Sequence, residues 1–307
     1  MTRNGRGRVL ATALLGAAGM VFGDNAAAVY VRHDVNVTAF NDLAASPQFQ
    51  AAGFFSTGCS GVLIGASTVL TAAHCATSKK TSFGLGAERG GATTYEVAGM
   101  ERHPLYTTGA AGYQYDLAVA TLMAPIEEVM PATISPVNLI GREVTMVGYG
   151  GQGTGLGTPL GGAADRLAAT NTIDTTAYNL WAADFDSPAG NKSLIGRRTP
   201  TAYEGQLAGG DSGSPLFWSN FLVGIGAYTF CQGSGCTSSS VYGSASLWVR
   251  LDIAANRQFI DQALARAASA TAAASPVPLP PAGWLLGTAL VGIPLLRRGG
   301  RAAAVGR

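Results

Sequence analysis

Between positions 29 and 268 the apolar residues occur in short runs that Gly, Ser, Thr and Asn interrupt, and no helical periodicity is sustained for long. The runs are too short and too closely spaced for alternating strand and helix units, so they are candidate core strands. The most apolar of them lie at 62–64, 69–70, 117–120, 144–147, 216–217 and 222–225. The pattern predicts an all-β fold, an antiparallel barrel or sandwich.

One segment near the end departs from this pattern and predicts a helix. Ile253, Phe259, Ile260 and Leu264 recur largely at helical spacing, and Asp252 stands where it can cap the first turn. The helix follows the last of the strand-like runs.

The composition suits a turn-rich β protein. Charged residues make up 12% of the 307 residues, the formal net charge is +2, and there are 42 glycines. Arginines cluster only at the two ends, where targeting signals lie, so no basic patch predicts binding to nucleic acid.

The N-terminal end has the three parts of a secretory signal peptide. Arg3, Arg6 and Arg8 precede an apolar run at 9–22, and three alanines at 26–28 form a cleavage site for signal peptidase. The alternatives are a membrane anchor or a buried helix, but a run of about 14 residues is short for a span of roughly 20. We therefore expect residues 1–28 to be removed, the mature chain to begin at Val29, and the protein to be exported.

The C-terminal end, at 269–307, carries a second short tripartite signal. An alanine-rich stretch and a proline-rich spacer at 277–282 precede an apolar segment at 284–296, which Arg297 and Arg298 close. This tail resembles the PEP-CTERM class of bacterial sorting signals, in the variant beginning Val-Pro-Leu-Pro. The resemblance implies a membrane-embedded sorting transpeptidase as a partner, and a transient inner-membrane anchor before the protein reaches the periplasm, the cell surface or the medium. The alternative is a plain transmembrane helix, for which the segment is short.

Four cysteines in an exported protein are best interpreted as two disulfides. Three pairings are possible, and the economical one is local, Cys59 with Cys75 and Cys231 with Cys236. Metal ligation is the alternative, but no Cys-x-x-Cys pair and only three histidines make a zinc site improbable.

A polar loop offers a second candidate for metal binding. Asp184, Asp186 and Asn191 could supply oxygen ligands to calcium, although such residues more often form an ordinary turn. We expect neither a metal nor a cofactor.

Three short segments carry residues suited to nucleophilic catalysis. Thr-Ala-Ala-His-Cys at 71–75 places His74 at the end of an apolar run, and Asp116 opens the run Asp-Leu-Ala-Val. A carboxylate entering a core strand needs a partner, since its burial alone costs several kcal/mol. Gly-Gly-Asp-Ser-Gly-Ser-Pro at 209–215 puts Ser212 in a turn whose glycines let backbone N–H groups point at a ligand.

Together these segments resemble the trypsin-like serine peptidases, in the family's order of His, Asp and Ser. Further segments agree, including His-Pro-Leu-Tyr at 103–106 and Val-Gly-Tyr-Gly at 147–150. The resemblance covers about 230 residues of the predicted peptidase domain, 29–268, and implies two six-stranded antiparallel barrels meeting at a cleft, with the late helix packed behind. It also implies a serine endopeptidase acting on proteins or peptides, expected to be a monomer.

The resemblance assigns a role to each catalytic residue. Ser212 is the nucleophile, His74 the general base and Asp116 the residue that orients His74. The N–H groups of Gly210 and Ser212 form the oxyanion hole. Asp211 is the partner of a free α-amino group, which signal-peptide cleavage before Val29 would supply.

The resemblance also places the substrate pocket. Gln206 forms its floor, Tyr228 and Thr229 lie on a wall strand, and Gly243 gives it depth. Since Gln206 carries no charge, we expect neutral side chains rather than Arg or Lys before the cleaved bond.

The sequence departs from the family pattern at three points. Ala208 replaces a cysteine, Ser214 replaces a glycine, and no Arg-Ile-Val-Gly-Gly activation site is present. The alternative function is a catalytically silent adhesion or binding module of the same fold, displayed at the cell surface.

Overall fold

The computed structural model describes residues 29–161, 165–196, 198–231 and 241–274. The predicted signal peptide, most of the predicted sorting tail and Cys236 lie outside these residues. The chain divides into two compact units, Met1–Ala267 and Ala268–Arg307, and of the second unit only residues 268–274 are described. In the described part of the chain, no helix is long and apolar enough to cross a membrane.

The described residues form mainly strands. In the first half they are β1 Tyr30–Val31, α1 Val37–Ala44, β2 Ala52–Phe55, β3 Ser60–Gly65, β4 Thr68–Thr71, β5 Ser82–Leu85, β6 Thr93–Arg102, β7 Ala118–Leu122, β8 Thr133–Ile134 and β9 Glu143–Gly148. In the second half they are β10 Gly153–Thr154, β11 Leu167–Thr172, β12 Thr175–Ala177, β13 Leu180–Asp184, β14 Gly205–Gln206, β15 Pro215–Trp218, β16 Phe221–Phe230, β17 Ala245–Arg250 and α2 Ala254–Ala274.

The first layer is a closed antiparallel barrel of six strands, in the order β2-β3-β4-β7-β6-β5. Its strands are short and apolar, and Val62, Leu63, Val69 and Leu70 on β3 and β4 are completely buried. Closure leaves no unpaired strand edge, so the backbone hydrogen bonds are satisfied around the ring. The predicted first barrel is confirmed.

The second layer is an open sheet in the order β11-β9-β15-β16-β17-β13-β12, with β8 paired beside β16. The sequence predicted a second six-stranded barrel, and the structure has a half-barrel instead. β14 pairs with β1, and the segment that leads into β14 touches the sheet only through a single bridge between Glu204 and Thr170 of β11. The overall class, an all-β chymotrypsin-like arrangement with a C-terminal helix, is as predicted.

A small third sheet holds the start of the described chain, in the order β10-β1-β14. Tyr30 pairs with Gly153 on one side and with Gln206 on the other. Val29, immediately before it, is completely buried. The predicted mature N-terminus therefore lies beside the strand that carries Gln206.

The two helices cover different parts of the core. In α2, which was predicted, Phe259, Ile260 and Ala263 are buried. The sequence analysis missed α1, although it has a signal: Asn36 accepts a hydrogen bond from the N–H of Thr38 as an N-cap. Its buried Phe40 belongs to the core cluster that includes residues of β11.

Candidate active site

His74 and Asp116 are brought together by strand pairing. His74 lies in the 3₁₀ turn that follows β4, Asp116 lies just before β7, and these strands pair with Thr71 opposite Ala118. The ring Nδ1 of His74 lies 2.7 Å from Asp116 Oδ2, and the backbone N–H of His74 donates to Oδ1 over 2.9 Å. Since a carboxylate only accepts, Nδ1 carries the proton and Nε2 remains an acceptor.

The disulfide Cys59–Cys75 fixes the turn that carries His74. It joins two cysteines 16 residues apart, one just before β3 and one next to His74. This part of the predicted pairing is confirmed. Cys231 is also disulfide-bonded, and its predicted partner Cys236 lies outside the described residues.

Asp116 is completely buried, whereas the His74 side chain is about one-quarter exposed. A buried carboxylate is unfavourable unless hydrogen bonds replace its hydration. The two bonds from His74 supply part of that replacement. The geometry leaves the outer edge of His74 open to a substrate.

The turn that carries Ser212 is held against the first barrel. The N–H of Ser60 donates to the carbonyl of Ser212 over 2.8 Å, and the Ser60 hydroxyl donates to the carbonyl of Gly210 over 3.0 Å. Gly213 has a φ of +84°, and a Cβ there would lie 2.1 Å from Thr71 Oγ1. Only glycine fits this contact between the turn and β4.

The candidate oxyanion hole comprises the N–H groups of Gly210 and Ser212. Gly210 has a φ of +94°, and its carbonyl is occupied by Ser60. Within the described residues neither N–H donates a hydrogen bond. Two such donors beside a nucleophile are the arrangement that stabilises an oxyanion.

Ser212 and His74 are not hydrogen-bonded to each other. In the described part of the chain, the His74 ring is bonded to Asp116, and no bond joins it to the Ser212 hydroxyl. Contacts of this kind are often long in a substrate-free enzyme and tighten when substrate binds.

The family is decided by a comparison with protein-family models, in which the Trypsin model matches residues 38–247. The chain belongs to the trypsin family. Among solved structures it is similar to neuropsin, described as a serine protease expressed in the limbic system of mouse brain. The TM-score is 0.52 and the sequence identity 19%, over 72% of this chain and 97% of the neuropsin chain, so this likeness supports the fold. No curated protein sequence matches the chain.

Asp211 of this trypsin-family chain is completely buried under the serine turn. Its two carboxylate oxygens accept the N–H groups of Ala208, over 3.0 Å, and Gly150, over 3.1 Å. Burial raises the pKa of Asp211 to about 7. Within the described residues no salt bridge reaches it, and the charge of Arg89 opposes the effect of burial only in part, so a further cation supplied at this point would be favoured.

The predicted pocket floor, Gln206, is completely buried in β14. The Ser244 hydroxyl oxygen lies 2.8 Å from its Nε2 and 3.1 Å from its Oε1, so the amide is anchored at Ser244. Gly243 has a φ of +83°, and its nearest side chain is that of Lys192, 3.8 Å from where a Cβ would lie. Thr229 and Tyr228 lie half-buried at the far end of β16.

Three tyrosines lie near His74 and Asp116, and of these the sequence analysis assigned only Tyr228, as part of the pocket wall. The ring of Tyr228 stacks on His74 with 5.8 Å between ring centroids, and Tyr113 packs on Tyr228 at 4.8 Å. Burial raises the pKa of Tyr106, and the nearby charge of Asp116 adds to this effect. Tyr106 lies in a segment already noted for its family resemblance, whereas nothing in the sequence marks Tyr113.

Of the two carboxylates considered for calcium, Asp184 is used by the loop itself. Asp184 Oδ2 accepts the N–H groups of Leu194 and Ile195 and the hydroxyl of Ser193. Asn191 bonds Ser187. No group of three or more His, Cys, Asp or Glu side chains in the described part of the chain could hold a metal ion.

Behind the pocket, Asp186 and Glu204 form a buried acidic pair. Glu204 accepts the N–H and the hydroxyl of Thr201, each over 2.7 Å, and the N–H of Asp186 over 3.3 Å. One oxygen of Asp186 has no hydrogen-bond partner within the described residues. Burial raises the pKa of Asp186 to about 7 and that of Glu204 to about 8.

This pair predicts a loss of stability in alkaline solution. Both carboxyls have a higher pKa in the folded chain than in the unfolded chain. Their contribution to the free energy of unfolding is therefore full in acid and is lost as the pH rises towards 8. In Glu204→Gln, the free energy of unfolding should be close to that of the parent at about pH 5. At about pH 9 it should exceed that of the parent by at least about 1 kcal/mol, measured by urea denaturation.

Glu127→Gln is the matched control, because Glu127 is exposed. It should follow the parent at both pH values. A Glu204→Gln variant whose difference from the parent is the same at both pH values would contradict the assigned burial effect.

Proposed function

We propose that the chain is an exported serine endopeptidase that hydrolyses peptide bonds through Ser212, His74 and Asp116. A trypsin-family domain is a hydrolase fold that acts on protein or peptide substrates. The observation that carries the proposal is the buried Asp116 carboxylate bonded to His74 Nδ1 at 2.7 Å. It leaves Nε2 as the base, on the side from which Ser212 must be activated.

The reaction begins when Ser212 attacks the carbonyl carbon of the peptide bond. His74 Nε2 takes the hydroxyl proton, and the resulting imidazolium is stabilised by Asp116. The N–H groups of Gly210 and Ser212 bind the developing oxyanion, at roughly 3 kcal/mol for each donor. The imidazolium returns its proton to the leaving amine, and water, activated by the same base, releases the acyl group from Ser212.

A catalytically silent binding module is the second candidate. The observation that favours it is the missing hydrogen bond between Ser212 and His74 in the described part of the chain. The two candidates differ in one chemical property: only the enzyme has an activated Ser212.

Labelling with a fluorophosphonate tests this difference. The proposal predicts that the parent protein is phosphonylated at Ser212, located by peptide mass spectrometry, and that it cleaves a peptide library. Ser212→Ala should lose both the labelling and the peptide cleavage. Its circular dichroism spectrum and thermal midpoint should match those of the parent, because the change removes one oxygen from a partly exposed turn.

Ser78→Ala, four residues after His74 and exposed, is the control and should react as the parent does. If the parent is not labelled, the binding module becomes the better proposal. If Ser212→Ala keeps turnover within about tenfold of the parent, the nucleophile is a different residue.

The export route is part of the same proposal. Signal peptidase removes residues 1–28, a sorting transpeptidase removes or exchanges the tail within 269–307, and the mature protein reaches the periplasm, the cell surface or the medium as a monomer. Val29 is completely buried at the start of β1, whose Tyr30 pairs with Gln206. Its new α-amino group is the cation that would form an ion pair with the buried Asp211 carboxylate.

Extension of the mature N-terminus tests the link to Asp211. A chain beginning at Val29 should be active, and the same chain with one residue added before Val29 should lose activity severalfold, because the α-amino group moves away from the buried carboxylate. The measurement is the rate of fluorophosphonate labelling. The control is a chain with the same residue added after Ala268. Equal labelling rates for all three chains would exclude the ion pair between the Val29 α-amino group and Asp211.

Specificity follows from the neutral pocket floor. A substrate cation buried without a counter-charge loses several kcal/mol, and Gln206 is held by Ser244 and carries no charge. In peptides that differ only at the residue before the cleaved bond, neutral side chains of medium size should be cut fastest. Gln206→Glu, which keeps the size and adds a charge, should shift the preference towards Lys and Arg.

A preference of the parent for Arg or Lys over neutral residues by about tenfold or more would refute the role given to Gln206. Ser246→Ala, which alters another residue behind the pocket without adding charge, is the control for nonspecific loss of pocket shape.

A further inference from the structure

The segment that follows β1 contacts a buried tyrosine through three separate interactions. The backbone N–H of His33 donates to the Tyr242 hydroxyl over 3.0 Å, and the ring Nδ1 of His33 lies 2.9 Å from the same oxygen. The two rings also meet edge to face, with 5.7 Å between their centroids. A hydroxyl can accept one hydrogen bond while it donates another, so the Tyr242 hydroxyl satisfies both contacts at once.

Tyr242 is enclosed on its other sides as well. It is 5% exposed, and its ring packs on that of Phe185 with 4.6 Å between centroids. The N–H of Tyr242 donates to the carbonyl of Gly155 over 3.0 Å, and a Cβ at Gly155 would overlap the tyrosine ring. The N–H of Gly155 in turn donates to the carbonyl of Val31 over 3.0 Å. The chain around β1 therefore fixes Tyr242 both directly and through Gly155.

The loop that contains Tyr242 leads to the predicted pocket floor. The N–H of Gly243 donates to the carbonyl of Phe185 over 2.8 Å, and the N–H of Phe185 donates to the carbonyl of Ser244 over 2.7 Å. The Ser244 hydroxyl oxygen lies 2.8 Å from Nε2 and 3.1 Å from Oε1 of Gln206. Because Ser244 follows Tyr242 by two residues, a change in the position of Tyr242 displaces the residue that holds Gln206.

Gln206 is also held by β1 from a second direction. Tyr30 lies opposite Gln206 in the antiparallel pairing of β1 with β14. The N-terminal segment, defined as residues 29–33, therefore reaches the pocket floor by two routes. One route is this backbone pairing, and the other runs from His33 through Tyr242.

We propose that Tyr242 is a positioning residue of the substrate pocket, and that its bonds to His33 make the shape of the pocket depend on the N-terminal segment. This inference rests on the proposed function, and it extends the account of specificity from Gln206 to the residues that hold it. The hydrogen bonds of the Tyr242 loop lead to the pocket floor. The inference therefore predicts a defect in substrate binding while the nucleophile stays reactive.

Tyr242→Phe isolates the hydroxyl, because it keeps the ring that packs on Phe185. With a peptide that has a neutral residue before the cleaved bond, we expect KM to rise by about fivefold and kcat to stay within about twofold of the parent, the pattern of lost substrate binding. The second measurement uses a fluorophosphonate with only short alkyl groups, which do not reach the pocket floor. It should label Ser212 at the parent rate.

Variants of His33 test whether the hydroxyl acts through this residue. His33 is exposed, so His33→Ala should fold normally, and its KM should rise by about threefold because the Nδ1 contact is lost. His33→Asn should restore most of the loss, since its side-chain amide can bond the Tyr242 hydroxyl from near the position of Nδ1. The double variant His33→Ala/Tyr242→Phe should raise KM no further than Tyr242→Phe alone, because both changes break the same contact.

Tyr203→Phe is the matched control. Tyr203 is 36% exposed, and its ring packs edge to face on Phe40 of α1 with 5.8 Å between centroids. The change removes a tyrosine hydroxyl elsewhere in the same part of the chain. It should leave KM, kcat and the labelling rate unchanged.

Hydrogen exchange followed by mass spectrometry gives a readout that does not depend on turnover. The peptides that contain Gly243 and Gln206 should exchange faster in Tyr242→Phe and His33→Ala than in the parent, and at the parent rate in Tyr203→Phe. If these differences are present in a parent that neither reacts with fluorophosphonate nor cleaves peptides, the proposed function fails and the role of Tyr242 stands. Unchanged exchange in Tyr242→Phe would overturn the inference. An active parent would also overturn it if Tyr242→Phe changes KM by less than about twofold, or slows labelling as much as it slows peptide cleavage.

Discussion

The burial of Asp116 is the constraint on which the rest of the candidate site depends. A carboxylate with no exposure must be surrounded by donors, and here the backbone N–H and the imidazole of His74 each supply one. Both donors belong to the turn that follows β4 and the acceptor lies just before β7, so the site depends on the register in which β4 and β7 pair. The disulfide Cys59–Cys75 then limits how far the His74 turn can move.

The serine turn adds the contact that joins the two layers. Ser60 of the barrel bonds the carbonyl groups of Gly210 and Ser212, while Gly213 lies too close to Thr71 for any side chain. The N–H groups of Gly210 and Ser212 themselves donate no hydrogen bond within the described residues. The backbone that assembles the fold is therefore also the backbone that would bind the oxyanion.

The sequence predicts what local chemistry determines. The all-β class, the late helix, the Cys59–Cys75 pair and the segments around His74, Asp116 and Ser212 follow from short motifs and short apolar runs. Other features depend on contacts between distant residues. The open second sheet follows from pairing between distant strands, the stacking of Tyr228 on His74 from the approach of β16 to the turn after β4, and the pair Asp186 and Glu204 from burial that their polar surroundings in the sequence do not reveal. Helix α1 could have been predicted from the sequence, since Asn36 caps a segment with apolar residues at 37 and 40.

The most direct test of this account is the rate at which a fluorophosphonate labels Ser212 in the parent and in Asp116→Asn. Asparagine keeps the size of the side chain but removes the charge and the strict acceptor character that hold the His74 proton on Nδ1. The account predicts a folded protein, with an unchanged circular dichroism spectrum, that is labelled at least about 100-fold more slowly. A folded Asp116→Asn variant labelled within about tenfold of the parent rate would contradict the claim that the buried Asp116 activates His74.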